Sequence, residues 1–287
     1  MIKNVQDRVW AFDAEWIPDP LAGRLLFGLS DSDTPPEEIM RVMWDAGGAT
    51  EQDPTPFLKT VLCRIVAISA VERRVYPDGA VVLNLMCIPR NPESADEIRE
   101  SHVVGTFLDA LGRCRPQLVG FNSIDSDLKI MVQRGVVLGL RAEGFCARPE
   151  KPWEGIDYFA RASDWNIDLK SVLGGWGKAV PTLHEVAVQS GIPGKLDVDG
   201  NQVAQLWLAG ELRRILQYNQ YDALTTYLLW LRLAHFAGHF TSGQYSEEEQ
   251  RVRDLLEKES QDPENAHLAI YLAEWERLRT RITSGRD

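Results

Sequence analysis

The order of predicted strands and helices in the first half of the chain constrains its fold most strongly. Residues 8–16 alternate between the two faces of a strand and are rich in Val, Trp and Phe. The stretches "VLCRIVAISAVERR" and "AVVLNLMCIP" predict two more strands, joined by a turn at "YPDG". A helix is predicted over 94–113, then a short buried strand in "PQLVGFN" and a helix in "SIDSDLKIMVQRGVVLGL". This order predicts an α/β domain with a mixed sheet.

Two regions depart from this alternation. Residues 18–57 hold many Pro, Asp and Gly residues around a short predicted helix, "PEEIMRVMWDA", and indicate an insertion between strands. The insertion is either a lid beside an active site or a plain surface excursion. After a long helix predicted over 211–237, the chain becomes rich in charged residues with helical spacing. We therefore predict one domain in residues 1–242 and a helical C-terminal appendage in 243–287.

The composition excludes several classes of protein. With 287 residues, 44% of them apolar, the chain can form a substantial globular core. It contains no apolar run of about eighteen residues, so no membrane span is expected. The start, "MIKNVQDRVW", is too short and polar for a signal peptide. The four cysteines are widely spaced and form no CxxC pair, which argues against a zinc site. They predict free, mostly buried thiols and a cytoplasmic location.

The charge balance is acidic, with a formal net charge of −11. Taken alone, it argues against a dedicated nucleic-acid-binding protein, which usually carries a basic surface. An active site that holds divalent cations is itself acidic before the metal binds, however. The pairs Arg73-Arg74 and Arg213-Arg214 could contact phosphates, although ordinary solvated charges are the simpler interpretation of each pair.

The first strand carries two acids, Asp13 and Glu15, within the apolar stretch "VWAFDAEWI". Side chains alternate along a strand, so both acids point to the same face. The stretch "IPDP" ends the strand soon afterwards, which places the pair near its C-terminal end, where open α/β sheets tend to bind ligands. The alternative is that both acids lie on the solvated face of an edge strand.

Two further acidic motifs follow. In "NSIDSD", Asp125 and Asp127 come after a predicted buried strand, at the start of the next helix. Either acid could instead serve as a helix cap. In "YNQYD", Tyr218 and Asp222 are four residues apart in the long helix and share one face. An Asp beside a buried face is costly unless it is paired or binds a metal, so an exposed position at the edge of the apolar stripe is the simpler alternative.

The three motifs together are more informative than any one of them. They could bring four carboxylates into one cluster, whose mutual repulsion would raise their pKa values in the absence of cations. Hard divalent cations such as Mg²⁺ or Mn²⁺ would relieve that repulsion with oxygen ligands. Two such ions can activate a water molecule and stabilise the leaving oxygen in phosphodiester cleavage.

At these residues the chain resembles the DEDD superfamily of 3′–5′ exonucleases, which has a ribonuclease-H-like fold. "DAE" resembles the first motif, "NSIDSD" the second, and "YNQYD" the Tyr-x-x-x-Asp third motif that marks the DEDDy branch. The stretches "GIPGKLDVDGNQV" and "AGELRRILQYNQYDALTTYLLWLRL" are similar to predicted bacterial exonucleases related to the proofreading domain of family B DNA polymerases. This resemblance covers roughly residues 8–240 and leaves 246–287 outside.

The resemblance implies a ribonuclease-H-like mixed sheet and a stand-alone nuclease with two Mg²⁺ or Mn²⁺ ions. The expected reaction is 3′–5′ hydrolysis of single-stranded DNA that releases 5′-mononucleotides. The implied roles fall on five residues: Asp13 bridging both ions, Glu15 and Asp222 completing the first metal site, Asp127 supporting the second, and Tyr218 orienting the attacking water.

The second motif departs from the family pattern. Ser126 stands where an aromatic residue usually precedes the acid, and Lys129 replaces a position often held by Pro. Asp125 is therefore a possible substitute for Asp127 as the metal ligand.

Three further residues are weaker candidates. Asn122 and Lys195 are predicted to contact the substrate, although Asn122 could simply shape a turn and Lys195 could be a solvated loop lysine. Asp168 could support the site, although helix capping is the simpler interpretation.

Three alternatives stay open at this stage. The enzyme could act on RNA ends instead of DNA, because the sequence carries no signal for recognition of the 2′-hydroxyl. The fold could also serve as a catalytically weak nucleic-acid-binding module. The predicted C-terminal helices could join a homo-oligomer through their apolar side chains, which are Leu255, Leu256, Leu268, Leu272 and Trp275.

Overall fold

A five-stranded mixed sheet forms the centre of the protein. The computed structural model describes residues 2–29, 34–151, 153–160, 163–175, 177–196 and 200–284. The strands are β1 (Arg8–Pro18), β2 (Cys63–Val75), β3 (Val81–Ile88), β4 (Gln117–Gly120) and β5 (Asn166–Asp168), in the spatial order β3-β2-β1-β4-β5. β1 pairs antiparallel with β2, and β2 antiparallel with β3. β1 pairs parallel with β4, and β4 parallel with β5.

This topology confirms the predicted α/β class and its ribonuclease-H-like sheet. β1 lies in the middle of the sheet, so the alternative that Asp13 and Glu15 belong to an edge strand is wrong. Because β1 and β4 are parallel, their C-terminal ends meet at the same edge of the sheet. The first acidic motif and the residues after β4 are thereby brought to one edge.

Helices cover both faces of the sheet. Within the described residues they are α1 (Pro20–Phe27), α2 (Pro36–Ala46), α3 (Glu100–Cys114), α4 (Asp127–Val137), α5 (Glu143–Cys146), α6 (Leu169–Leu173), α7 (Leu183–Gln189), α8 (Val203–Leu208), α9 (Leu212–Phe236), α10 (Ser242–Glu259) and α11 (His267–Ser284). None of these described helices is long and apolar enough to cross a membrane.

The alternation of β1 separates two apolar cores. Trp10 and Phe12 point to one face, where Phe107 of α3 packs against both rings. Val9 and Ala11 point to the other face and belong to the core that contains the apolar side chains of α9. The acids at 13 and 15 continue this second series, which places them on the side of the sheet that α9 covers.

The helices differ from the sequence prediction in two respects, the start of α3 and an additional helix in the predicted insertion. α3 begins at Glu100 instead of 94, because the preceding residues form turns. In these turns the carboxylate of Glu97 accepts hydrogen bonds from the backbone N–H groups of Arg90 and Asn91. Within the predicted insertion, α2 has the expected position and α1 is an additional helix. Asp19 caps α1 by accepting a hydrogen bond from the backbone N–H of Leu21.

The C-terminal helices pack directly on α9 and share its core. Leu256, Leu268 and Trp275 are buried in the same cluster as Leu228 of α9. The guanidinium of Arg73 on β2 forms a buried ion pair with Glu248 of α10, at 2.8 Å. α10 and α11 are therefore integrated with the sheet layer through both apolar and ionic contacts. The division of the chain at 242 stays a prediction.

All four cysteines are free thiols, as the sequence predicts. The expectation that most are buried is wrong in part. Cys63 is buried, Cys87 and Cys114 are half-buried, and Cys146 is exposed.

Candidate active site

Three carboxylates meet where α9 crosses β1. Asp13, Glu15 and Asp222 each contribute one carboxylate oxygen to a group in which all three atoms lie within 4.8 Å of one another. Strand alternation explains why the first two share a face, and α9 adds the third. Glu15 is only 9% exposed, so part of the cluster is enclosed by protein. The structure thus brings together acids from the first and third predicted motifs.

The electrostatics of the cluster are those of crowded carboxylates. Burial and the neighbouring negative charges hold the pKa values of Asp13 and Glu15 well above their ordinary range. The carboxyl groups of Asp13 and Glu15 lie close enough to hydrogen-bond to each other when one of them is protonated. In the absence of a cation, this crowding therefore disfavours full negative charge on all three groups.

Asp127 supplies a fourth carboxylate from the first turn of α4. Its Oδ1 accepts a hydrogen bond of 3.1 Å from the backbone N–H of Ala14, between the two acids of β1. Burial raises the pKa of Asp127 to about 6, and its charge in turn raises the pKa values of Asp13 and Glu15. Asp125 is exposed at the surface. Of the two acids in the second motif, the structure brings Asp127 to the cluster.

Ser126 contacts the carboxylate beside it. Its hydroxyl oxygen lies 2.7 Å from Asp127 Oδ2 and 2.7 Å from the backbone carbonyl oxygen of Asn122, and its single hydrogen can be donated to one of them at a time. The hydrogen bond to Asp127 lowers the pKa of that acid against the effect of burial. The departure from the family pattern thus replaces an aromatic ring with a polar group that favours the charged form of Asp127.

Tyr218 lies one helical turn before Asp222 on α9. Its side chain is buried and its hydroxyl is hydrogen-bonded to Asp222. Burial, followed by the charges of Asp222 and Glu15, raises the pKa of the Tyr218 hydroxyl far above its ordinary value. The phenol is therefore neutral and keeps its hydrogen for donation at physiological pH.

Asn219 is a residue of the site that the sequence analysis misses. Its side-chain nitrogen donates a hydrogen bond of 2.7 Å to Asp13 Oδ2, and the residue is fully buried. A signal is present in the sequence, because Asn219 precedes Asp222 by three residues and so lies on the same helix face. The motif Tyr-x-x-x-Asp does not specify the residues between the tyrosine and the acid, so the pattern "YNQYD" makes no prediction for Asn219.

Asn122 forms the turn between β4 and α4. Its φ is +67°, in the left-handed region that Asn tolerates better than most residues. Its backbone N–H donates to Asp168, and its side-chain oxygen accepts a hydrogen bond of 3.0 Å from Lys170. Asp168 also accepts from the backbone N–H of Ile124 and caps α6. Asn122 thus shapes the turn, and Asp168 is a helix cap that holds this turn in place.

Lys195 is an exposed residue close to the cluster. Its backbone N–H donates to the ring nitrogen Nδ1 of His184, which fixes the local chain path. Its positive charge lowers the pKa of Glu15. The side chain therefore contributes positive potential at the cluster.

The two arginine pairs of the sequence form contacts within the protein. Arg73 is buried against Glu248, and the guanidinium of Arg74 lies over the ring of Tyr76. Arg213 and Arg214 are ion-paired to acids, at 3.2 Å to Glu264 and 2.5 Å to Glu211 respectively. Arg73 is therefore buried rather than a solvated charge, whereas Arg213 and Arg214 are partly exposed and fit the interpretation of ordinary surface charges.

Comparison with known proteins assigns the family. A family described as predicted 3′–5′ exonucleases related to the exonuclease domain of PolB matches residues 55–275, well over half of the chain. The chain belongs to this family. No curated protein matches the chain significantly.

The match defines the extent of the exonuclease likeness. It includes Asp127, Tyr218 and Asp222, whereas Asp13 and Glu15 precede it. It also runs through α10 and into α11. The expectation that residues 246–287 lie wholly outside the likeness is therefore wrong, in agreement with the core that these helices share with α9.

The donor set of the cluster fits the metal ions that such nucleases usually need. Exonuclease domains of this kind generally use divalent cations, and hard cations prefer oxygen ligands. The cluster offers carboxylate oxygens whose pKa values are raised by burial and then by mutual repulsion. A bound cation would relieve that repulsion, so the residues present are suited to hold one.

Proposed function

We propose that this protein is a metal-dependent 3′–5′ exonuclease that hydrolyses single-stranded DNA and releases 5′-mononucleotides. The observation that carries the proposal is the convergence of Asp13, Glu15 and Asp222 within 4.8 Å, with Asp127 beside them. Family membership supplies the class of nuclease. The identity of the metal, the substrate and the product are part of the proposal.

Asp13, Glu15 and Asp222 are the proposed ligands of the metal ions, and Asp127 supports a second ion. Two Mg²⁺ or Mn²⁺ ions would supply an activated water and stabilise charge on the leaving oxygen. Asn219 holds one carboxylate oxygen of Asp13 in a fixed orientation. Such outer contacts commonly tune the affinity of a metal site.

The proposed reaction is the hydrolysis of the last phosphodiester bond of a strand. The oxygen of a water molecule forms a bond to phosphorus, and the bond from phosphorus to the 3′ oxygen of the preceding nucleotide breaks. The 3′ oxygen gains a proton, which leaves a strand shorter by one nucleotide and a nucleoside 5′-monophosphate. Tyr218 orients the attacking water through its neutral hydroxyl, which burial and the nearby carboxylates keep protonated.

Two residues outside the cluster are proposed to act on the substrate. Lys195 contributes positive charge next to Glu15 and is suited to contact a phosphate. Asn122 has its side-chain oxygen occupied by Lys170, so any contact with substrate would come from the other atoms of its amide.

The test compares substitutions at the cluster with a neighbour outside it. Asp13→Ala and Asp222→Ala are expected to abolish degradation of single-stranded DNA in Mg²⁺ or Mn²⁺, with an unchanged circular dichroism spectrum. Asp127→Ala is expected to impair it strongly, whereas Asp125→Ala, in the same turn, retains activity. Activity that survives both Asp13→Ala and Asp222→Ala would show that the assignment of the site is wrong.

The alternative substrate is RNA. The rates of degradation of DNA and RNA oligomers of the same sequence distinguish the two substrates. At a given site a protein tells RNA from DNA by its contacts with the 2′-hydroxyl. Metal binding measured by calorimetry, without turnover of either oligomer, would instead favour the binding module.

Two further predictions concern the state of the protein in the cell. A homo-oligomer through the C-terminal helices stays a prediction, although Leu255, Leu256, Leu268 and Trp275 are already buried within the chain. Size-exclusion chromatography of the full chain tests it. A cytoplasmic location is likewise a prediction from the sequence, which cell fractionation tests.

A further inference from the structure

A second contact holds α4 to the strand that carries the first acidic motif. Besides Asp127, which binds the backbone N–H of Ala14, α4 contributes Arg134. The guanidinium of Arg134 donates a hydrogen bond of 2.8 Å to Asp19 Oδ2. Asp19 directly follows Pro18, the last residue of β1. α4 is therefore attached at two points near the C-terminal end of β1.

The two points lie on the same face of α4. Arg134 follows Asp127 by seven residues, which is close to two helical turns and about 10 Å along the helix axis. On the strand side, Ala14 and Asp19 are five residues apart. Two attachments at this separation fix both the position and the direction of the helix relative to β1, whereas a single contact would leave the helix free to pivot.

Glu100, at the start of α3, also holds the guanidinium of Arg134. Its two carboxylate oxygens accept hydrogen bonds of 2.7 and 2.6 Å from Arg134, a bidentate geometry that fixes the plane of the guanidinium. Glu100 Oε1 further accepts the backbone N–H of Ile65 on β2. Arg134, Asp19 and Glu100 are each no more than 6% exposed. The guanidinium is therefore oriented by two acids in a buried site that is tied to the sheet.

The apolar contacts of α4 are less directional than this ion pair. Leu128, Ile130 and Met131 bury the helix in the core, but the hydrophobic attraction depends on the area buried and has no direction of its own. A buried ion pair adds little net stability compared with apolar side chains of similar size, and its best-attested use is to fix the register between packed elements. The contacts of Arg134 are suited to specify where α4 lies along β1.

The position of α4 matters because its first residue is Asp127. The pairing of β1 with β4 ends at Ala11, three residues before Ala14. Beyond that end, Asp127 Oδ1 accepts the backbone N–H of Ala14 at 3.1 Å. A shift of α4 along β1 would lengthen this hydrogen bond and move the carboxylate of Asp127 relative to the two acids of the strand.

We propose that Arg134 is a positioning residue that, through Asp19, sets where Asp127 lies against β1 and thereby the affinity for the second metal ion. The inference rests on the proposed exonuclease activity and adds a residue to its site that none of the three acidic motifs contains. The hydrogen bonds of Arg134 go to Asp19 and Glu100, so it acts on Asp127 only through the helix. The insertion takes part as well, because Asp19 stands at its start.

The test uses Asp19→Asn. This change removes the charged acceptor on the β1 side, keeps an oxygen for the cap of α1, and leaves Arg134 paired with Glu100. In the metal-free protein, hydrogen exchange measured by NMR is expected to become about tenfold faster at the amide of Ala14, relative to the buried amide of Ala11 on the same strand. Calorimetric titration with Mn²⁺ is expected to show about tenfold weaker binding of the second ion.

Glu248→Gln is the matched control. It also breaks a buried ion pair, with Arg73 on β2, which lies beside the N-terminal half of β1 and away from the carboxylate cluster. It is expected to lower the stability of the whole protein while leaving the exchange ratio of Ala14 to Ala11 and the Mn²⁺ affinity unchanged. Equal changes in Glu248→Gln and Asp19→Asn would show that general destabilisation causes them, and would overturn the positioning role.

The exchange measurement also separates this inference from the proposed function, because it needs neither metal nor turnover. If the wild-type protein binds no Mn²⁺ and degrades no DNA, the proposed function fails, and the exchange ratio still decides whether Asp19 positions Asp127. An unchanged ratio in Asp19→Asn would overturn the positioning role. A raised ratio with an unchanged affinity for both Mn²⁺ ions would overturn the effect on the metal site.

Discussion

Asn219 donates a hydrogen bond of 2.7 Å to Asp13 across 206 residues of sequence. The bond ties α9 to β1 at the point where the carboxylates meet. It holds one oxygen of Asp13 and so sets the orientation of this carboxylate within the cluster. The candidate site is thus oriented by a neutral amide as well as assembled from acids.

Removal of this amide is expected to weaken metal binding. In Asn219→Ala the carboxylate of Asp13 loses the donor that orients it, and the loss of such outer contacts typically costs about 10–100-fold in metal affinity or activity. Calorimetric titration with Mn²⁺ measures the change. Gln250→Ala, on the exposed side of α10, is the control and is expected to bind Mn²⁺ like the wild type. An unchanged affinity in Asn219→Ala would show that Asp13 needs no such support.

The serine of the second motif is expected to set the pKa of its neighbour. Ser126→Ala removes a hydrogen bond to the charged form of Asp127, so the pKa of that acid should rise above about 6. Hydrogen bonds to charged groups contribute roughly 1.5–3 kcal/mol, which corresponds to a rise of about one to two pKa units. A carboxyl-carbon NMR titration of the metal-free protein measures it. Ser246→Ala, on α10, is the control and should leave the pKa of Asp127 unchanged. An unchanged pKa in Ser126→Ala would contradict the hydrogen bond.

The carboxylate cluster is expected to lower the thermal stability of the metal-free protein. A raised pKa in the folded state means that the folded protein binds more protons than the unfolded chain, so stability falls as pH rises through the raised values. In EDTA at pH 8, Glu15→Gln removes one repelling charge and should raise the melting temperature by a few degrees, since about 1 kcal/mol corresponds to roughly 2–4 °C in a protein of this size.

Added Mg²⁺ or Mn²⁺ should raise the melting temperature of the wild-type protein above that of Glu15→Gln. The wild-type protein should gain more thermal stability from the metal than Glu15→Gln does, and it should gain more at pH 8 than at pH 5, where protons compete for the same oxygens. Differential scanning calorimetry with and without metal measures both effects. An equal gain at the two pH values would contradict a metal site built from these acids.

The ion pair between Arg73 and Glu248 is expected to hold the C-terminal helices on the sheet. Both side chains are buried, and Tyr227 also donates a hydrogen bond to Glu248. Glu248→Gln leaves the guanidinium buried without its counter-ion, which typically costs about 3–5 kcal/mol. Urea unfolding measures the loss. Glu247→Gln, at an exposed neighbour on the same helix, should change the free energy of unfolding by less than about 0.5 kcal/mol.

The parts of the site that lie on one regular element could be predicted from the sequence. Alternation along β1 places Asp13 and Glu15 on one face, and helical periodicity does the same for Tyr218 and Asp222. The order of strands and helices was likewise sufficient for the fold class. The contact between Asn219 and Asp13 depends on how α9 crosses β1, which no local pattern encodes.

The C-terminal helices show a different limit of sequence patterns. Their charged composition indicates a separate appendage, but the acid that matters most, Glu248, faces inward to Arg73. Pairing over such a distance in sequence cannot be read from composition.

The release of nucleoside 5′-monophosphate from a 3′-labelled single strand tests the central claim most directly. The wild-type protein should release the labelled mononucleotide in Mg²⁺ or Mn²⁺ and not in EDTA. Asp222→Asn should lower the rate by more than roughly a thousandfold with the fold intact, whereas Asp254→Asn, on the exposed side of α10, should match the wild type. Release by Asp222→Asn at the wild-type rate, or release that persists in EDTA, would contradict the account.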